Sequence, residues 1–339
     1  MKIIKRVALL LLVLTIFFSV IPVAQAVDQY PPDHVWNVPV DTLPVDSMSK
    51  TYITSSNAAC SGGCYLYVGR GTPLNVVDST HAKQKLTSIT ALWRSDDIPY
   101  PIPANVEIFD TADESSLYII DQEAGLDYEM YKPVRAPNGT WSAYAAMMFD
   151  FSNYTLRPDN RPSVSASGLP IVPGILRYEE VAAGSINHAM IVHMYTSGNK
   201  HVWPARAGGV QNNAAYPPLG QRFRLKASFD TSGYSPHEKT ILEAWKKYGF
   251  MLSDQNADTQ AWYVVAAADS RWDIDINSFE NVHGYDFEAV DVSSLMIDEN
   301  SGQARILPVV TPTSTPAITP TPTQTRTLIP GKEFKIFNF

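Results

Sequence analysis

The stretch that decides the fold class is RFRLKASF at residues 222–229, in which basic or polar residues alternate strictly with apolar ones. Successive side chains of a β-strand point to opposite faces of a sheet, so this alternation predicts a strand with one buried and one solvated face. Phe223 and Leu225 would share the buried face, and the basic residues would share the solvated face. The stretch therefore indicates a sheet that covers a core on one side.

Further strand patterns lie on both sides of this stretch. Apolar or aromatic runs bounded by turn residues predict strands at residues 117–120, 128–131, 141–151, 189–195 and 262–265. Strand patterns therefore dominate the middle of the chain.

One helix is indicated by signals at both of its ends. Ser235 is a suitable N-cap, Pro236 fits the first helical position and Glu238 completes a capping box. Gly249 can adopt the left-handed conformation that ends a helix. Shorter helical segments are predicted at residues 178–183 and 45–53. Together these patterns predict a mostly-β fold, a β-sandwich or jelly-roll-like domain with a few short helices.

Composition and charge narrow the classes of partner. The chain has 339 residues, of which 45% are hydrophobic and 18% are charged, so it has enough apolar content for a folded core. Its formal net charge is −8. This argues against a nucleic-acid partner, because nucleic-acid-binding proteins usually present a basic face.

The N-terminal residues have the pattern of a signal peptide. Lys2, Lys5 and Arg6 precede an apolar run at residues 7–20, and Ala-Gln-Ala at residues 24–26 fits a cleavage site. We predict a signal peptide over residues 1–26, with an uncleaved anchor as the alternative. The run is shorter than the about 20 apolar residues that a membrane helix needs, so we expect no transmembrane anchor after cleavage.

The C-terminal residues have a different composition. Thr311 to Thr327 contain eight Thr and four Pro in 17 residues, which favours an extended, solvated chain. Residues 308–339 are therefore predicted to be a Thr/Pro-rich linker with a short tail. Residues 27–307 remain as a single secreted, mostly-β domain.

Export would place the two cysteines in an oxidising compartment. Cys60 and Cys64 enclose Ser-Gly-Gly, and the two glycines allow a tight turn. We predict a local disulfide, because a redox-active pair usually has a two-residue spacer and a metal site would need further ligands. The predicted location is secreted or at the cell surface.

A dense series of motifs covers much of the predicted domain. It begins near VWN at 35–37 and comprises GLPIVPGILRYEEV at 168–181, INHA at 186–189, WPAR at 203–206, GQRFRLKA at 220–227, YGFMLSD at 248–254 and WY at 262–263. The series resembles a group of uncharacterised secreted microbial proteins. The resemblance implies an extracytoplasmic domain and supplies no reaction. Members of that group often carry an acidic residue just before Gly-Leu-Pro, where this chain has Ser165.

Carboxylates and one histidine are the candidate catalytic residues. Glycoside hydrolysis needs two carboxyl groups about 5 to 10 Å apart. The available carboxylates are Asp150, Glu179, Glu180, Asp230, Asp254, Asp286 and Glu288, and their spacing leaves the pairing open. We select Asp150, Glu180 and Asp230, with His188 as a proton carrier. Turn formation or helix-end charge compensation is the ordinary alternative for each carboxylate.

The sequence gives little indication of a metal site or of a serine nucleophile. His188 and His193 are five residues apart, so on one strand they would face opposite ways. We therefore predict no metal site and no other cofactor. A Gly-x-Ser-x-Gly elbow is absent from the sequence, so a peptidase or another serine hydrolase is a third, weaker class.

Basic and aromatic residues are the candidates for substrate binding. They are Arg177, Trp203, Arg206, Arg224 and Lys226. Cationic side chains neutralise the carboxylate of a uronate during elimination from an acidic polysaccharide, and a Trp face stacks on a sugar ring. The ordinary alternatives are a solubilising strand face and an aromatic core.

These patterns lead to one functional hypothesis and one alternative. We expect a carbohydrate-active or carbohydrate-binding protein, as a glycoside hydrolase or polysaccharide lyase, whose partner is a polysaccharide or a cell-surface glycan. The alternative is a non-catalytic structural or adhesive cell-surface protein. The hypothesis requires that the polar side chains between residues 168 and 229 gather into one wet cleft.

Overall fold

Two β-sheets form the scaffold of the computed structural model, which describes residues 30–58, 60, 63–111, 114–256, 261–272 and 276–307. The predicted signal peptide and the predicted linker and tail lie outside these residues. The described part is mostly β, with two mixed sheets and three α-helices, and is a β-sandwich-like domain as the sequence predicts. Its residues from 30 to 306 belong to one compact unit.

The three α-helices are interspersed among eleven β-strands along the described part of the chain. The strands are β1 (Tyr65–Thr72), β2 (Asn75–Val77), β3 (Phe109–Asp110), β4 (Ser115–Asp121), β5 (Leu126–Arg135), β6 (Trp141–Asp150), β7 (Met190–Met194), β8 (Arg222–Leu225), β9 (Phe250–Gln255), β10 (Ala261–Ala267) and β11 (Phe287–Val290). The helices are α1 (Ser49–Ala58), α2 (Tyr178–Ala182) and α3 (Pro236–Lys247). The helix predicted at residues 45–53 thus begins and ends later than expected.

The larger sheet has the strand order β1-β10-β7-β9-β8-β11. β1 runs parallel to β10 and β7 runs parallel to β9, whereas the remaining neighbours are antiparallel. Parallel partners come from distant parts of the chain, because a parallel pair needs a long crossover connection. The larger sheet therefore brings together side chains that are far apart in sequence.

The smaller sheet has the order β2-β4-β5-β6, and β3 also pairs with β4. One of its faces packs Leu117, Tyr128 and Met130 against Tyr100 and Ile102. Its other face carries a smaller apolar cluster, of Ala145, Met147 and Phe149, beside the polar residues described below. This sheet thus has an apolar cluster on each face, and the larger one lies on the side of Tyr100.

The double-proline segment at residues 168–174 connects the two sheets. The backbone amides of Ile171 and Val172 donate to Glu129 of β5 in the smaller sheet. A Cβ added to Gly174 would lie 2.4 Å from the side chain of Ile191 in β7 of the larger sheet. Only glycine allows this close approach.

Helix α3 has the capping that its sequence predicts. The Ser235 hydroxyl accepts from the backbone amide of Glu238, whose carboxylate accepts from the amide of Ser235. The helix is followed by Gly249 with φ of +63°. A Cβ there would lie 1.9 Å from the carbonyl oxygen of Phe223, so both the backbone angle and the space require glycine.

The strand at residues 222–225 differs from its prediction, because all four of its residues are buried. The Arg222 guanidinium donates to the carbonyl oxygens of Val35, Val38 and Tyr248. The face predicted to be solvated is therefore covered. The alternation of polar and apolar residues could not predict this burial, because Val35 and Val38 lie more than 180 residues from Arg222 in sequence.

The predicted disulfide is present, because Cys60 and Cys64 are bonded to each other. Within the described ranges, no helix is long and apolar enough to cross a bilayer.

Candidate functional site

A cavity of about 380 Å³ lies between the two sheets, and we call it the intersheet cavity. Tyr118 of β4 and Tyr131 of β5 line it from the smaller sheet, and His193, Asp254 and Tyr263 line it from the larger sheet. Its volume falls within the range of about 300 to 1,000 Å³ that is usual for small-ligand sites. It is the leading candidate for a functional site because titratable and aromatic side chains from both sheets line it.

A register irregularity sets His193 beside Asp254. On the parallel strands β7 and β9, Val192 is the partner of Leu252 and His193 is the partner of Asp254, so Ser253 is the extra residue. A β-bulge of this kind re-aims side chains. The two titratable groups consequently stand next to each other at the cavity wall, although about 60 residues separate them in sequence.

Burial gives the Asp254 carboxyl an unusual proton affinity. Desolvation raises its pKa to about 6, the charge of Glu114 adds to this increase, and the amides of Ala166 and Gln255 oppose it. Those amides donate to Asp254 at 2.8 and 2.7 Å. Asp254 is therefore partly protonated near neutral pH, which suits a general acid.

The imidazole of His193 is neutral at the same pH, because burial lowers its pKa to about 4. Its Nε2 atom is buried and has no hydrogen-bond partner among the described residues. The ring stacks with Tyr263 at a centroid distance of 6.1 Å. A buried nitrogen without a partner is uncommon in proteins and marks a place where a ligand can supply one.

The position of Tyr263 depends on a glycine in the neighbouring strand. A Cβ added to Gly69 of β1 would lie 1.9 Å from the Tyr263 hydroxyl, so the phenol occupies the space above this residue. Tyr67 packs beside it at a centroid distance of 5.5 Å. Such aromatic walls with polar tips bind rings that carry both C–H and O–H groups.

Glu114 supplies a second carboxylate to the intersheet cavity. It is exposed, and it acts electrostatically on Asp254. Neither Lys nor Arg occurs among the described lining residues. The cavity is accordingly acidic, with one carboxyl of raised pKa and one at the solvent side.

A buried acid pair lies behind the cavity. Glu129 accepts from the amides of Ile171, which lines the cavity, and Val172, at 2.5 and 3.1 Å. Desolvation raises the pKa of Glu129 to about 7, and burial together with the charge of Glu129 raises that of Asp127 well above its usual value. The backbone of Ile171 at the cavity wall is therefore hydrogen-bonded to an acid pair, Glu129 and Asp127, whose carboxyl groups keep their protons to a higher pH than exposed carboxyl groups do.

The structure places three sequence-selected residues together, but in the protein interior. His188 is fully buried, and its Nε2 lies 3.0 Å from Glu180 Oε1. Arg177 Nη1 lies 3.8 Å from the same oxygen, and its Nη2 donates to the carbonyl of Val172. This group joins helix α2 to the double-proline segment and does not line the intersheet cavity.

The remaining selected residues are dispersed. Asp150 and Asp230 accept hydrogen bonds within their own turns, from Ser152 and Ser232 among others. Lys226 is exposed. The buried Arg224 pairs with Glu288 and donates to the carbonyls of Val40 and Leu43. Trp203 and Arg206 line a separate cavity. The selected residues thus do not form the single wet cleft expected from the sequence.

The main residues of the cavity were not selected from the sequence. In the sequence, Asp254 is one of seven available carboxylates, and His193 is a candidate only for a metal ligand. Asp254 and Tyr263 also lie in the YGFMLSD and WY motifs of the resemblance, and Ser165, the position where the resemblance expects an acidic residue, lines the cavity as well. Glu114 has no such signal, since strand pairing alone brings it to the cavity.

Neither a metal centre nor a known relative assists the interpretation of this cavity. Among the residues that the structure describes, no group of three or more His, Cys, Asp or Glu side chains is placed to hold a metal ion. No protein-family model, curated protein or solved structure matches the chain.

Proposed function

We propose that this protein binds a neutral saccharide in the intersheet cavity and hydrolyses a glycosidic bond there. The observation that carries the proposal is the presence of two carboxylates, Asp254 and Glu114, in one cavity, with a raised pKa at Asp254. Glycoside hydrolases use such a pair, in which a carboxyl of raised pKa acts as the acid.

Five of the lining residues have a role in this reaction. Asp254 protonates the leaving glycosidic oxygen as its bond to the anomeric carbon breaks. Glu114 either deprotonates the water that attacks this carbon or attacks the carbon itself, and in the second case water then hydrolyses the glycosyl–enzyme ester. Tyr263 and Tyr131 stack on the faces of the sugar rings. His193 Nε2 forms a hydrogen bond with a sugar hydroxyl, which supplies the partner that this atom lacks.

The charge of the cavity favours a neutral substrate over an acidic one. The described lining residues include two carboxylates and no cationic Lys or Arg side chain, so a uronate would be repelled. Arg177 and Arg224 already donate to backbone carbonyls inside the fold, away from this cavity. Hydrolysis is therefore a better proposal than elimination.

The proposed site of action is outside the cytoplasm, on a polysaccharide or a cell-surface glycan. The disulfide between Cys60 and Cys64 supports an oxidising compartment, because such bonds are rare in the cytosol. The charge and hydropathy pattern of residues 1–26 supports export. The resemblance to secreted microbial proteins agrees with both.

The proposal is tested by measuring reducing-sugar release from a panel of neutral polysaccharides. The native protein is expected to hydrolyse one class of them, and Asp254→Asn and Glu114→Gln are each expected to lower the rate at least about 100-fold. Asp150→Asn, which removes an Asp from a turn outside the cavity, serves as the matched control and should retain full activity.

Two outcomes would contradict the proposed hydrolysis. The first is a native protein that releases no sugar from any member of the panel, and the second is an Asp254→Asn protein as active as the native one. Glycan-array binding without turnover would leave only a binding module. Absence of both turnover and binding would favour the structural or adhesive alternative.

A further inference from the structure

A second cavity, of about 320 Å³, lies at a different place on the same compact unit. We call it the Trp203 cavity, and its lining residues include Asp159, His201, Trp203, Arg206 and Glu299. The intersheet cavity shares none of these residues. We infer that the Trp203 cavity is a second, non-catalytic binding site for the neutral glycan of the proposed function.

The indole of Trp203 is held in place by a hydrogen bond. Its Nε1 donates to the carbonyl of Ser301 at 2.8 Å, and the residue remains only half-buried. A Trp ring fixed at its polar edge retains its faces for stacking, and it loses little conformational entropy when a sugar ring binds.

A buried arginine joins chain segments at the wall of this cavity. The Arg206 guanidinium is 6% exposed, and it donates to the carbonyls of Arg157 and Glu299, both at 2.7 Å, and to the Asn300 side chain at 2.8 Å. These bonds join the chain near residue 157 to the chain near residue 300. Arg206 is therefore a positioning residue that shapes the cavity.

The polar groups of the walls are suited to sugar hydroxyls. Asp159 Oδ1 lies 3.1 Å from His201 Nε2, and the Asp159 side chain is 54% exposed. Glu299 contributes a second carboxylate at the exposed rim. Carboxylate oxygens accept hydrogen bonds from hydroxyl groups, and an aromatic face binds the C–H side of a pyranose. This combination matches a saccharide.

One short segment connects the two cavities. Asp159 lines the Trp203 cavity, whereas Val164 and Ser165 line the intersheet cavity. The amide of Arg206 donates to the carbonyl of Ser167 at 2.7 Å, which fixes this segment. The two cavities are therefore linked through one short stretch of chain, so that one polymer chain could reach both.

Calorimetric titration with neutral hexasaccharides of glucan, xylan and mannan tests the inference. Tyr263→Ala disables the intersheet cavity, and the protein should still bind one hexasaccharide molecule. Adding Trp203→Ala should weaken this binding at least about tenfold, the loss expected for one stacking contact. Trp93→Ala replaces an exposed Trp outside both cavities and should change nothing. Asp159→Asn provides a second, milder variant for the Trp203 cavity.

The outcomes separate this inference from the proposed function. Binding that survives in Tyr263→Ala and is lost with Trp203→Ala supports the second site, even if the native protein hydrolyses nothing. If Tyr263→Ala abolishes all binding while Trp203→Ala and Asp159→Asn bind like the native protein, the second site is refuted and the proposed function stands. Absence of hexasaccharide binding by the native protein also refutes the second site.

Discussion

Replacing Glu129 with Gln tests whether the acid pair behind the intersheet cavity is protonated in the folded protein. Burial raises the pKa of Glu129 to about 7 from its ordinary value of 4.5. The folded state therefore holds the proton more tightly than the unfolded state. The stability contributed by this proton is fully present below pH 4.5 and is lost as the pH rises through 7.

The size of the effect follows from the two pKa values. A shift from 4.5 to about 7 corresponds to about 3 to 4 kcal/mol in total, at about 1.4 kcal/mol for each pKa unit, and about 3 kcal/mol of it is lost between pH 4.5 and pH 8. Gln does not titrate, and its carbonyl oxygen can still accept from the amides of Ile171 and Val172. The unfolding free energy of Glu129→Gln relative to the native protein should thus rise by about 3 kcal/mol between pH 4.5 and pH 8.

Urea unfolding at pH 4.5, 6, 7 and 8 measures this difference. Burial lowers the pKa of His34 to about 3 and that of His193 to about 4, so both destabilise the fold as the pH falls below about 6.5. This opposing effect occurs in both proteins and cancels in the comparison. Glu107→Gln, at an exposed position, is the control. A free-energy difference that stays constant across these pH values would refute the reasoning.

Two pairs of glycines test the packing, and in each pair one glycine is crowded and the other has open space. Gly69→Ala places a Cβ where the Tyr263 hydroxyl lies, so we expect saccharide binding to weaken about tenfold and stability to fall by about 1 to 3 kcal/mol. Gly71→Ala, with open space around its Cβ, should change neither saccharide binding, measured by titration, nor stability, measured by urea unfolding. Gly249→Ala should cost about 3 kcal/mol in urea unfolding, because φ is positive and a carbonyl blocks the Cβ. Gly125→Ala, with a similar φ and free space, should cost only about 1 kcal/mol; equal losses for the two would contradict the account.

Features that depend on neighbouring residues could be predicted from the sequence. Helix α3 has the N-cap at Ser235, the capping box with Glu238 and the terminating Gly249 that the pattern indicates. The disulfide between Cys60 and Cys64 is also local. These structures form because the interacting groups are within a few residues of each other, and a single sequence displays that relation directly.

Features that depend on remote partners could not be predicted. The polar face of the strand at residues 222–225 is buried because carbonyls from the chain near residues 35–43 accept from its arginines. His193 and Asp254 are neighbours because a bulge shifts the pairing of β7 and β9. The alternation and spacing of residues along the sequence predict neither contact, because both depend on how distant strands pair.

The pH dependence of hydrolysis tests most directly whether Asp254 acts as the catalytic acid in the intersheet cavity. With the neutral glycan that the native protein cleaves, kcat/KM should fall as the pH rises through about 6, because the carboxyl loses the proton that it must donate. Asp254→Asn should lack this decline and be slower throughout. A native rate that is unchanged between pH 5 and pH 8, or an Asp254→Asn protein with the native pH profile, would contradict the account.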